Sequence, residues 1–98
     1  MDYGKYIIVE YQGSEMPILF PALMEHSDIW EAISNTINVT LISAGMFDVG
    51  AEPIILGAAK MQDISVAAFD GSTTLKLKSR KEEDAVLIKK ILRRTYKF

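Results

Sequence analysis

At 98 residues, with 49% hydrophobic and 24% charged positions, six Gly, three Pro and no Cys, the chain falls in the ordinary globular range, which excludes collagen-like, disordered and disulfide-scaffold architectures. The absence of Cys also removes thiolate nucleophiles and cysteine-based zinc or iron–sulfur sites. Net charge is −2, too acidic for strong attraction to nucleic acid or acidic membrane, but the total hides a division: residues 1–70 hold two bases against ten acids, and residues 71–98 hold nine bases against three acids.

Residues 5–11 (KYIIVEY) are rich in β-branched and aromatic side chains. With residues 16–20 (MPILF) they bracket the polar turn Gln12-Gly13-Ser14-Glu15, which predicts a β-hairpin. Pro17 cannot donate to a ladder, so the second strand belongs at an edge. Pro21 stops it and can open a short helical turn. Asp28-Ile29-Trp30-Glu31 fits a capping box, and Ile29, Ala32, Ile33 and Ile37 recur at helical spacing, predicting a helix over residues 28–36.

Residues 39–43 are strand-like again. Gly45 suggests a bulge or tight turn before residues 46–49 resume, and residues 53–56 and 64–69 read as short strands. Asp70-Gly71 is the strongest hairpin signal, followed by an alternating strand over residues 73–78 with Leu75 and Leu77 inward and Lys76 and Lys78 outward. Ser79-Arg80-Lys81-Glu82 forms a second capping box. After it, Glu82, Glu83 and Asp84 suit the positive end of a helix dipole, and Val86, Leu87, Ile88, Ile91, Leu92 and Thr95 make an apolar stripe.

The order is β-β-α-β-β-β-β-α, a single α+β domain over residues 1–98. It has one mostly antiparallel sheet of five to six strands, with two helices over one face. The runs Ile7-Ile8-Val9, Ile54-Ile55-Leu56 and Val66-Ala67-Ala68-Phe69 are apolar at consecutive positions, as in strands buried on both sides. Two helices cannot shelter that much surface, so a homo-oligomer is expected, with another protein as the alternative cover. No charged-then-apolar leader opens the chain, and its longest uncharged stretch is broken by Asn, Thr and Ser. The expected location is therefore the cytoplasm, with no membrane partner.

Chemistry-bearing residues are few. His26 is the lone histidine. In His26-Ser27-Asp28 the three triad types are sequence neighbours, whereas triads converge from separate elements; the plainer reading is a helix entry capped by Ser27 or Asp28, with His26 at the surface. Glu25, His26 and Asp28 are metal-ligand types without a second His at ligand spacing. Gly57-Ala58-Ala59-Lys60 lacks the flanking glycine and Ser/Thr of a phosphate loop, so no cofactor is expected. The candidate interaction surface is Lys89, Lys90, Arg93, Arg94 and Lys97 on the last helix, beside Tyr96 and Phe98. It suits either a phosphate-tracking role or a plain solvated face. Trp30 joins it as an anchor if exposed, although core packing is the simpler role.

The segments Tyr6-Ile7-Ile8-Val9-Glu10, Pro17-Ile18-Leu19-Phe20, His26-Ser27-Asp28-Ile29, Ser43-Ala44-Gly45-Met46-Phe47 and Leu75-Lys76-Leu77-Lys78-Ser79-Arg80, with Asp84 downstream, resemble small uncharacterised proteins encoded by tailed bacteriophages and prophages. The resemblance spans most of the chain; residues 58–70 depart from it. It implies a phage-related setting and assigns no activity and no site residue. The expected role is a non-enzymatic, self-associating interaction protein, either an assembly component or a protein-binding accessory. The alternative is a nucleic-acid-binding accessory that uses the basic C-terminal helix.

Overall fold

The computed structural model describes residues 2–56 and 59–95. Its elements are β1 (Asp2–Tyr11), β2 (Ser14–Phe20), α1 (His26–Ser34), β3 (Thr40–Leu56), β4 (Ala59–Phe69), β5 (Gly71–Ser72), β6 (Leu77–Lys78) and α2 (Lys81–Thr95). This is an α+β chain with the expected β-β-α-β-β-β-β-α order. Every strand pairing is antiparallel. Four strands form one sheet ordered β2-β1-β3-β4, while β5 and β6 pair separately.

The first hairpin follows from its turn. Gln12 and Gly13 have φ of 51° and 82°, the positive pair whose twist matches the flanking strands. Pro17 sits opposite Ile8 on β2, an edge strand, where a missing N–H is tolerated.

β1 lies inside the sheet, and Ile7, Ile8 and Val9 are all fully buried. The cover comes from one element set per side. On one face Tyr6, Ile8, Phe47 and Ala68 meet Ile88, Ala85, Leu87 and Leu92 of α2. On the other, Ile7, Val9, Phe20 and Ala44 meet Ile29 and Trp30 of α1 with Leu75 and Leu77. The helices therefore lie on opposite faces, which corrects the expectation that both cover one face. One chain shelters its central strand on both sides, and each buried aliphatic side chain contributes about 1.5–3 kcal/mol.

Other expectations shift. β4 is not buried on both faces, because Ala68 is buried and Ala67 exposed. Residues 53–56 are no separate strand; β3 runs unbroken through Gly45 to Leu56, and its register shift falls between Ile8 and Val9 of β1. Gly45 serves close approach instead: a Cβ there would lie 2.7 Å from the Phe69 carbonyl oxygen and 3.0 Å from the Tyr6 hydroxyl.

The Asp70-Gly71 hairpin does not form. Asp70 has φ 57°, but Gly71 pairs with Lys78, and residues 73–76 make the turn, with Lys76 at φ 56°. Leu75 and Leu77 still face the core, and Lys76 and Lys78 are exposed. In α2 the stripe runs through Ala85, Ile88 and Leu92, leaving Val86 56% exposed.

Candidate functional site

Helix α2 begins on a buried carboxylate. Asp84 has no exposed surface. Its Oδ2 accepts from the Tyr6 hydroxyl at 2.7 Å, the Ser43 hydroxyl at 2.8 Å and the Arg80 backbone N–H at 2.9 Å, and its Oδ1 accepts from Arg80 Nε at 3.0 Å. A phenol has one hydrogen, and Tyr6 gives it to Asp84. The Ser79 hydroxyl therefore donates to the Tyr6 oxygen across 2.5 Å. Burial, more than any neighbour, pushes the Tyr6 phenol well above its ordinary pKa.

The predicted box from Ser79 to Glu82 is thus replaced: Ser79 turns to the sheet, and Asp84 caps the Arg80 N–H. Arg80 extends the network to β2, its guanidinium 2.6 Å from Glu15 Oε1 and 3.2 Å from Glu83 Oε2. Hydrogen bonding to Glu15 is the main reason its pKa rises. Asp84 and Arg80 are the polar residues that sequence reasoning missed. One signal was present: Asp84 is in phase with Ile88 and Leu92, which places it on the packed face rather than with its solvated neighbours Glu82 and Glu83.

The basic face of α2 divides. Lys89 Nζ lies 3.3 Å from Glu52 Oε1 and 3.4 Å from Asp63 Oδ2, and Arg93 pairs with Asp63 through both guanidinium positions. The Arg93 bond is the principal reason the Asp63 carboxyl falls to about 2. Two of the predicted cations therefore neutralise the acidic half of the same chain. Lys90 is exposed. The side chain of Arg94 lies outside the described set, as do Lys97, Tyr96 and Phe98 altogether. Trp30 is half-buried against the second core cluster, so it packs in the core.

His26 is 4% exposed, a correction to the surface position expected of it. Its Nε2–H donates to the Gly45 carbonyl oxygen at 2.9 Å, and its ring meets Phe20 edge-on at 5.4 Å. α1 accordingly starts at His26, two residues earlier than Asp28 would place it. Its N-cap is Glu25, without a side-chain cap. Beside it lies an open groove of about 670 Å³ between the start of α1 and the β5–β6 turn, bordered by Lys5, Lys76, Lys78, Glu25 and Asp70. Charges of both signs line it, and Lys5 already donates to the Met24 carbonyl.

The sheet supplies the remaining feature. The last β1 residue paired to β3 is Asp2, opposite Val49, whereas the β3–β4 pairing continues from Gly50 opposite Ser65 to Leu56 opposite Ala59. Beyond Val49, β3 and β4 form a two-stranded ribbon, and the molecule measures 50 × 26 × 19 Å. Pro53 sits in this ribbon, where β4 is the strand partner of β3 among the described residues.

Among the described residues no group of three or more His, Cys, Asp or Glu side chains is placed to hold a metal ion. No described helix is long and apolar enough to cross a membrane. No protein-family model, curated protein or solved structure matches the chain.

Proposed function

We propose that this chain is a small non-enzymatic interaction protein that self-associates, serving as an assembly component or protein-binding accessory in a phage-related setting. The observation that carries the reading is the β3–β4 ribbon. Two-stranded hairpins are marginal in water, and three or more strands are needed for a stable sheet. A ribbon that leaves its parent sheet, with Ile54-Ile55-Leu56 and Ile64 in its sequence, is suited to binding another chain. The resemblance of several segments to phage-encoded proteins supplies the setting, in the host cytoplasm or the virion. His26, the one residue with ready acid–base chemistry, is engaged by Gly45 and Phe20, which favours a structural role for it.

The nucleic-acid reading rests on α2 and loses ground there, because Lys89 and Arg93 are held by Glu52 and Asp63. Light scattering across protein concentration tests the proposal. A mass that rises above 11.0 kDa toward an integer multiple is expected, and a monomer throughout overturns it. Fluorescence anisotropy with duplex DNA at low salt is expected to show no binding. Binding that vanishes on reversing Arg93 and Arg94 would instead favour the rival.

A further inference from the structure

We infer that the self-contact is made by the free edge of β4, pairing antiparallel with β4 of a second copy to join two four-stranded sheets into one. This rests on the self-association reading and specifies its site. The sheet has two edge strands, and they differ. β2 is seven residues long and carries Pro17, a missing donor of the kind that blunts an edge, and its Glu15 is already tied to Arg80. β4 is eleven residues long, contains no Pro or Gly, and keeps an unshifted register with β3 from Phe69 to Ala59. Its outer side therefore presents backbone donors and acceptors at regular spacing, the template used in strand addition.

The composition of β4 selects the occupant. Residues 1–70 are strongly acidic, so two copies repel over most of that surface. β4 alone is balanced within it, with one base, Lys60, and one acid, Asp63. A parallel in-register partner would set Lys60 against Lys60 and Asp63 against Asp63. Lys60 and Asp63 stand on opposite faces of the strand, and an antiparallel pair keeps each away from its own like in every register not centred on that residue. Such a pair has a two-fold axis perpendicular to the sheet, so the contact closes on itself and both α2 helices lie on the same face. That arrangement also turns the ribbon into four strands. Val86, exposed beside Ser65 and Val66 where α2 crosses the ribbon, lies close enough to the seam to gain cover.

The chain has no cysteine, so an introduced thiol reports on one position only. Single Cys variants at each β4 position from Lys60 to Ala68 are oxidised in parallel with Ser14→Cys on β2. Disulfide-linked dimer is expected from the β4 variant that lies on the two-fold axis, the one position that faces its own copy in an antiparallel pair, and none from Ser14→Cys. Ala67→Lys, at an exposed position, is expected to weaken dimerisation by about tenfold or more while leaving the far-UV circular dichroism unchanged. A dimer by light scattering with no β4 cross-link, and no response to Ala67→Lys, overturns the edge contact and leaves self-association standing. A monomer at every concentration overturns both.

Discussion

Asp84 shows how one side chain can hold two elements together. Four donors converge on a carboxylate that water does not reach: one from β1, one from β3 and two from Arg80, the residue preceding α2. Asp84→Ala leaves those donors buried and unpaired, and should cost about 3–5 kcal/mol in a urea melt. Tyr6→Phe removes a single hydroxyl and should cost about 1–2 kcal/mol. A deficit for Asp84→Ala no larger than that for Tyr6→Phe would mean that the carboxylate is not the hub. Tyr6 adds a pH dependence. Its folded pKa is raised above the ordinary 10.0, so the folded state holds the proton more tightly. Its contribution is therefore complete below pH 10 and is lost as the pH climbs from there toward the raised value. The urea midpoint should fall in that range for the parent chain and fall less for Tyr6→Phe.

The α2–ribbon junction makes its prediction at the level of elements. Lys89 and Arg93 face Glu52 and Asp63 across from the strands, and Asp63 is held at about 2 chiefly by Arg93. A carboxyl signal for Asp63 followed by NMR should titrate near 2 in the parent and move up toward the ordinary 3.8 in Arg93→Ala. An unchanged titration would show that the pair does not persist in solution. The sign is that of a depressed carboxylate: the tie is whole above the ordinary value and loosens as pH falls toward 2.

The same elements show where sequence periodicity succeeds and where it stops. The first hairpin and α2 were legible because their signals are local: a Gln-Gly turn between apolar runs, and a stripe behind a run of acids. α1 starts two residues early because burial of His26 against Gly45 and Phe20 outweighs the capping preference of Asp28. Gly45 reads as a break along the chain. In space it is the point where the Phe69 carbonyl and the Tyr6 hydroxyl come too close for a Cβ, a constraint imposed by residues far away in sequence. The candidate surface was half legible for the same reason. A row of cations is visible on a helix, but the acids that neutralise Lys89 and Arg93, Glu52 and Asp63, lie far away along the chain.

For the whole molecule, the two core clusters and the ribbon are separable. Among the described residues the clusters draw on β3 no further than Val49 and on β4 no further than Val66, so both are built on the four-stranded part of the sheet. Among the described residues, ion pairs from Lys89 and Arg93 tie the ribbon to α2, and exposed pairs of that type contribute about 0–1 kcal/mol each. Replacing residues 52–63 with an Asn-Gly turn should therefore give a chain that still folds cooperatively, within about 1–2 kcal/mol of the parent in a urea melt. The same shortened chain should remain a monomer in light scattering at concentrations where the parent associates, because the ribbon is gone and the β4 strand of eleven residues loses its first part, Ala59 to Asp63. If it unfolds, the ribbon belongs to the core. If it folds and still associates, the contact lies on another surface, and the open side around Tyr3, 65% exposed opposite Asp48 of β3, is the next place to look.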